Sequence, residues 1–204
     1  MLLKIHPDNP SDRLIDKVAE VLEKGGIIVY PTDTVYGIGC DIFNTKAVEK
    51  IAKIKQVDPQ KHNFSFICRD FSHLSTFTKN VETEIYKLMR RNLPGPFTFI
   101  LHANNKVPNI FLSKKKTVGI RIPNNNIARE IVRCLGRPIL TTSLPADEET
   151  IEYTTIPELI YEKYEKLVDL VIDAGEGGIE PSTIVDCTGG EIEILRQSKY
   201  ELDY

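Results

Sequence analysis

Thr32, Asp33 and Thr34 directly follow the run IVYP at residues 28–31, and Tyr36, Gly37 and Gly39 come straight after them. Two hydroxyls and a carboxylate at this spacing can hydrogen-bond a small polar ligand. The β-branched and aromatic residues of Ile27–Tyr30 read as a strand that stops at Pro31, where a backbone donor is lost. The polar cluster therefore sits just past the carboxyl end of a buried strand, where open α/β sheets bind ligands. Gly37 and Gly39 permit close approach of backbone to backbone or to a ligand.

The same pattern, a strand end followed by hydroxyls or a cation, recurs along the chain. Arg121 lies inside the apolar run VGIRIP, Thr141, Thr142 and Ser143 close a strand predicted over Pro138–Thr142, Ser182 and Thr183 open one near Ile184–Asp186, and Arg196 ends the last strand. Hydroxyls bond phosphate, carboxylate or ribose oxygens, and arginine holds carboxylate or phosphate with two parallel N–H groups. Together these residues describe a pocket for an anionic small molecule carrying a phosphate. Each also has a plainer reading: Ser and Thr at strand ends cap turns, Arg121 could face solvent, and Arg196 could be a solvated edge residue. Lys50, Lys53 and Lys55 share a predicted helix, either as a solvated face or as phosphate-neutralising cations near the Thr32–Thr34 loop. The run Lys114–Lys116 reads as a solvated loop or a nucleic-acid contact, and His62 as structural. No Walker A sequence, GxGxxG after a strand, HExxH or GxSxG occurs.

These residues must be positioned by alternating elements. Helical periodicity predicts helices over Asp12–Lys24, Thr45–Lys55, Val81–Asn92, Ile127–Leu135 and Ile156–Lys166. Strands are predicted at Leu2–Ile5, Ile27–Tyr30, Phe64–Cys68, Phe97–Leu101, Val118–Ile122, Pro138–Thr142, Leu167–Ile172, Ser182–Cys187 and Glu191–Arg196. The alternation is irregular, so the expected fold class is α/β (α+β), one domain over residues 1–204 with a twisted mixed sheet and flanking helices. The composition, 41% hydrophobic and 27% charged with net charge −3, is that of a globular protein and excludes a uniformly basic nucleic-acid binder. No apolar run approaches transmembrane length and the first residues lack a signal-peptide core, so the expectation is a cytoplasmic protein with no membrane partner. Cys40, Cys68, Cys134 and Cys187 show no metal-type spacing and read as small buried thiols.

Taken in order, these segments resemble one family over nearly the whole chain. PTDTVYGIG is similar to the PT(D/E)TVYGLG signature of the YrdC/YciO family. IAKIKQ, NFSFICRD, LPGPFTFIL, TVGIRIPNNNIAREIV, PILTTS and PSTIVDCTGGEIEILR resemble that family's successive blocks, and the start KIHPDNP and the HNFSFICRD wording are most similar to its YciO branch. The resemblance implies a YrdC-like fold with a concave basic face. It also implies a nucleotidyltransferase activity, L-threonylcarbamoyladenylate synthesis from L-threonine, bicarbonate and ATP, with Mg2+ accompanying the ATP. The product feeds tRNA modification. Related domains have been described as binding double-stranded RNA, so tRNA or double-stranded RNA is an alternative partner, and another carbamoyl or acyl adenylate an alternative substrate.

Carried over residue by residue, the resemblance implies that Thr32 and Thr34 contact threonine, Lys53 and Lys55 bind phosphate, and Arg121 holds the threonine carboxylate. Ser143 matches the serine of an SxN motif, Ser182 and Thr183 a late ST pair, and Arg196 a nucleotide-contacting arginine. Thr141 joins this ATP/AMP- and threonine-binding set, with Lys55, Arg121 and Ser143 as its catalytic members and no residue ligating a metal directly. Two positions depart from the motifs: Val57 stands where KxR has arginine, and Pro145 where SxN has asparagine. Valine and proline side chains supply no donors, so the half of the site that grips ATP is altered while the threonine half is kept.

Overall fold

Period-2 alternation in the strands divides the interior into two cores, and that division creates the site. The computed structural model describes residues 1–59, 64–111, 116–145 and 151–204; His62, Lys114, Lys115 and the acidic stretch 147–150 lie outside them. The elements are β1 (Leu2–Lys4), α1 (Asp12–Glu23), β2 (Ile28–Tyr30), β3 (Gly37–Asp41), α2 (Thr45–Lys55), β4 (Ser65–Ile67), α3 (Phe71–Ser75), α4 (Thr83–Asn92) and β5 (Phe97–His102), followed by a 3-10 turn (Asn109–Phe111). Then come β6 (Thr117–Arg121), α5 (Asn126–Leu135), β7 (Ile139–Ser143), α6 (Glu152–Thr155), α7 (Pro157–Tyr164), β8 (Leu170–Asp173), β9 (Thr183–Asp186) and β10 (Glu193–Arg196). The described strands form one sheet in the order β1-β8-β2-β3-β7-β4-β6-β5-β9-β10. Parallel pairs (β1/β8, β2/β8, β4/β6, β5/β9) and antiparallel pairs (β2/β3, β3/β7, β4/β7, β5/β6, β9/β10) mix, giving the α/β domain expected.

One core packs Val29, Ile38, Phe66, Phe99, Ile120, Leu140 and Val185 against Val48 and Ile51 of α2, Met89 of α4 and Ile160 of α7. The other packs Ile28, Tyr30, Ile67, Ile139, Leu170 and Ile172 against Ile15, Val18 and Leu22 of α1 and Ile127, Ile131 and Val132 of α5. Helices α1 and α5 back only part of the second face. On the rest of it, the residues alternating with the first core are Thr141 beside Leu140, Ser65 beside Phe66, Arg121 beside Ile120 and Thr98 beside Phe99. That polar patch of sheet is the floor of the candidate site.

The helices begin and end where local chemistry dictates. Asn44 caps α2 by accepting from the Ala47 N–H at 3.0 Å, and Asn125 caps α5 by accepting from the Ala128 N–H at 3.0 Å. Gly136, at φ 73°, ends α5 in the left-handed conformation that favours glycine.

Strand β3 and the short helices α3 and α6 do not follow from local pattern. The β3 sequence, GIGCD, has glycine at alternate positions, a poor strand signal. Tertiary packing overrides it: a Cβ on Gly39 would collide with the Leu140 carbonyl oxygen and lie 2.9 Å from the Tyr30 ring. The expected close approach at this glycine is thus backbone against strand and ring. The strand predicted at Leu167–Ile172 starts later, at Leu170, because Leu167 is exposed.

Gly39→Ala is expected to lower stability by about 2 kcal/mol through overpacking. Gly136→Ala, where a Cβ meets no described residue within 4 Å, should cost only the backbone term, about 1 kcal/mol. Urea unfolding of both variants checks the ordering.

Candidate functional site

Arg121 is the last residue of β6 and is only 7% exposed. A buried guanidinium requires an anion and hydrogen-bond acceptors. Asp33 and Thr34 supply them: Arg121 Nη2 donates to Asp33 Oδ1 at 2.9 Å and to Thr34 Oγ1 at 2.9 Å. The other carboxylate oxygen, Asp33 Oδ2, accepts from the Asn124 N–H at 2.8 Å, so one aspartate fastens the β2–β3 loop to the segment leaving β6. Arg121 Nε is buried with no hydrogen-bond partner among the described residues.

Behind this pair the threonines form a relay. Thr32 Oγ1 donates to the Val35 carbonyl at 2.7 Å and lies 2.9 Å from Thr34 Oγ1. With the Thr32 proton spent on Val35, the Thr34 hydroxyl is the donor between them. The Thr34 N–H also donates to Thr32 Oγ1, at 3.0 Å.

A cavity of about 350 Å³ opens over the sheet floor and is lined by Lys55, Arg121 and Arg196 together with Ser65, Thr98, Thr141, Thr142, Ser143 and Ser182. Lys55 Nζ donates to the Ser143 carbonyl at 2.9 Å, tying the end of α2 to the end of β7. Partial burial lowers the Lys55 pKa from the ordinary lysine value. Arg196 donates from Nε and Nη2 to the Ser182 carbonyl at 3.0 and 2.8 Å, and from Nη2 to Ser182 Oγ at 3.2 Å; Ser182 Oγ in turn lies 2.8 Å from Thr98 Oγ1. The Arg196 pKa is lowered, first by partial burial and then by repulsion from Arg121. Two arginines close enough to repel share this cavity with a lysine, an arrangement that can neutralise an anion even though Arg121 is paired with Asp33.

The sequence-predicted residues separate into groups. Lys55, Arg121, Thr141, Ser143, Ser182 and Arg196 line this cavity. Thr32 and Thr34 line a second one, about 240 Å³, together with Asp33, Tyr36, Glu176 and Tyr200. Lys53 is exposed and lines neither. Thr183 is fully buried and anchors the C-terminal segment instead, its Oγ1 lying 2.8 Å from Ser198 Oγ and donating to the Tyr200 carbonyl at 2.7 Å. Val57 packs partly buried against the first core. Sequence reading missed Ser65 and Thr98; their signal was a lone hydroxyl alternating with buried aromatics in FSF and FTF.

Arg121 and Ser143 do end strands, as the crevice expectation required, but most of the lining lies across the uncovered sheet face. The cysteines take no part in it. Cys40, Cys68 and Cys187 are buried; Cys134 is not fully buried and donates its thiol to Asp16 Oδ1 at 3.1 Å. Burial raises all four thiol pKa values, Cys134 to about 11 and Cys187 to about 12. Among the described residues no group of three or more His, Cys, Asp or Glu is placed to hold a metal, and no helix is long and apolar enough to cross a membrane.

Comparison with known proteins agrees with this architecture. Residues 20–198 match the Sua5/YciO/YrdC family model, described as telomere recombination. The chain is 44% identical over 196 residues to the uncharacterized protein YciO of Escherichia coli (strain K12), covering 95% of this chain and 93% of that one. The crystal structure of E. coli YciO superposes with a TM-score of 0.90 at 43% identity, covering 98% of this chain and 97% of that one. The crystal structure of P. abyssi Sua5 complexed with L-threonine gives a TM-score of 0.85 at 25% identity, covering 97% of this chain and 57% of that one.

The lowered Lys55 pKa predicts a pH dependence. Only the protonated amine attracts an anion, so affinity for inorganic phosphate should fall as pH rises through that lowered value, earlier than for an ordinary lysine. Lys55→Arg should abolish this alkaline loss, as phosphate titrations across pH would show. Folding has the opposite sign. Between the lowered value and the ordinary lysine value the unfolded chain binds more protons, so Lys55 makes stability rise with pH there.

Proposed function

The chain belongs to the Sua5/YciO/YrdC family, and from that premise we propose that it binds an adenylate whose acyl group carries a carboxylate, of the threonylcarbamoyl-AMP kind, and forms that adenylate weakly or in modified form. The observation that carries this reading is the convergence of Lys55, Arg121 and Arg196 on one hydroxyl-lined cavity large enough for a nucleotide-sized ligand. The L-threonine bound to the Sua5 relative supports an amino-acid ligand of the same class. Arg121 takes the amino-acid carboxylate, Lys55 and Arg196 neutralise phosphate, and Thr141, Ser143 and Ser182 bond phosphate or ribose oxygens.

In the forward direction the threonine amine attacks the bicarbonate carbon and water is lost. The resulting carbamate attacks the α-phosphorus of ATP, and pyrophosphate leaves. The protein contributes orientation and charge neutralisation rather than a covalent intermediate. Mg2+ is proposed to come with the triphosphate. Among the described residues the cavity lining offers hydroxyl oxygens and no carboxylate, and the nearby Asp33 is committed to Arg121 and Asn124, so phosphate oxygens would be its chief ligands.

Val57 and Pro145 favour a second reading of the same site, cleavage of a preformed threonylcarbamoyl-adenylate. In that reaction water attacks the mixed anhydride and AMP leaves with the carbamate released, and a ligand with a single phosphate does not need the triphosphate donor that Val57 lacks.

A pyrophosphate-release and product assay with ATP, bicarbonate and L-threonine tests the synthetic reading, with threonine omitted as control. The expected result is slow, threonine-dependent product that rises in Val57→Arg with Pro145→Asn. No threonine-dependent product at high protein concentration contradicts it. Salt-sensitive binding of tRNA or double-stranded RNA with no nucleotide binding would replace it by an RNA-binding role.

A further inference from the structure

The guanidinium of Arg121 offers a carboxylate two edges with paired N–H groups, and each edge uses one hydrogen of Nη2. Both Nη2 hydrogens are already spent, one on Asp33 Oδ1 and one on Thr34 Oγ1, each at 2.9 Å. Asp33 is itself immobilised, with its side chain 8% exposed and Oδ2 accepting from the Asn124 N–H at 2.8 Å. Thr34 Oγ1 cannot turn away, because its own proton goes to Thr32 Oγ1, whose proton goes to the Val35 carbonyl. The direction of every hydrogen bond in this chain is therefore set: Arg121 to Thr34, Thr34 to Thr32, Thr32 to Val35.

We infer that Asp33 is a positioning residue: with Thr34 it locks the Arg121 guanidinium in one rotation, and so determines which N–H groups the cavity presents to a ligand carboxylate. Thr32 Oγ1 has its proton and both lone pairs engaged and Thr34 Oγ1 has no proton left to give, so these hydroxyls act on a ligand carboxylate through Arg121, and both line the second cavity. The two cavities meet at this ion pair, Arg121 facing one and Asp33 the other. What the lock supplies toward stereochemical selectivity is one fixed contact, the carboxylate anchor, against which the ammonium and side chain of the ligand are set. A guanidinium held in one plane accepts a carboxylate from one direction, whereas a swivelling one accepts it from several. The consequence for ligands rests on the amino-acid reading of the site; the lock itself does not.

The experiment therefore has two arms. Nitrogen-15 NMR of the Arg121 side chain in the wild-type chain should show slowly exchanging, resolved Nη2 protons. Asp33→Asn should collapse them, Asp33→Glu should retain them, and Thr34→Val, which preserves the loop's volume, should shift them. In the second arm, calorimetric titration with L-threonine and with D-threonine should give a wild-type preference for the L-enantiomer that drops about tenfold in Asp33→Asn and returns in Asp33→Glu. Arg121 signals unchanged in Asp33→Asn would overturn the inference. Wild-type protein that binds neither enantiomer would contradict the amino-acid reading alone, with the NMR arm still deciding the role of Asp33.

Discussion

The ion pair between Arg121 and Asp33 is the constraint on which the candidate site depends. Both side chains are more than nine-tenths buried, so each charge has lost most of its hydration. A pair of this kind is costly to bury, and losing one partner typically costs about 3–5 kcal/mol because the other is left uncompensated. Its attraction must be supplemented by hydrogen bonds, and the Thr34–Thr32–Val35 relay and the Asn124 N–H provide them. The same contacts join the β2–β3 loop to the end of β6 across the sheet. A loop that could have been mobile is thereby part of the scaffold.

Sheet pleating accounts for the rest of the site. Alternate residues of β4, β5, β6 and β7 enter the first core, and on the opposite face Ile67 and Ile139 join the second core while Ser65, Thr98, Arg121, Thr141 and Ser143 line the cavity. One register slip in any of these strands would send hydroxyls into the core and apolar side chains into the cavity. The fold is thus specified by the pattern that also makes the site, and the cations Lys55 and Arg196 are brought to its rim from a helix end and an edge strand.

Much of this is legible in the chain itself. The long helices and most strands follow from apolar periodicity, and Arg121 within VGIRIP was identifiable because a charge in an apolar strand demands a partner. The partner's identity was not legible, since Asp33 lies 88 residues away and the pairing is made by topology. Strand β3 was hidden because its glycines are poor local strand formers, and they are there for the contact with Leu140 and Tyr30. Thr183 reads like Ser182 in sequence, but successive residues on a strand face opposite sides. Ser182 meets Arg196 at the cavity, and Thr183 is buried beneath the C-terminal segment. Lys53 and Lys55 divide for the analogous helical reason, two residues apart and so on different faces.

The central claim is that one cavity takes both a carboxylate and a phosphate. A crystal structure of the protein grown with saturating AMP and L-threonine tests it most directly. Density is expected over the sheet floor, with the carboxylate at Arg121 and the phosphate between Lys55 and Arg196. Ligand density confined to the second cavity, or none near Arg121 at saturation, would contradict it.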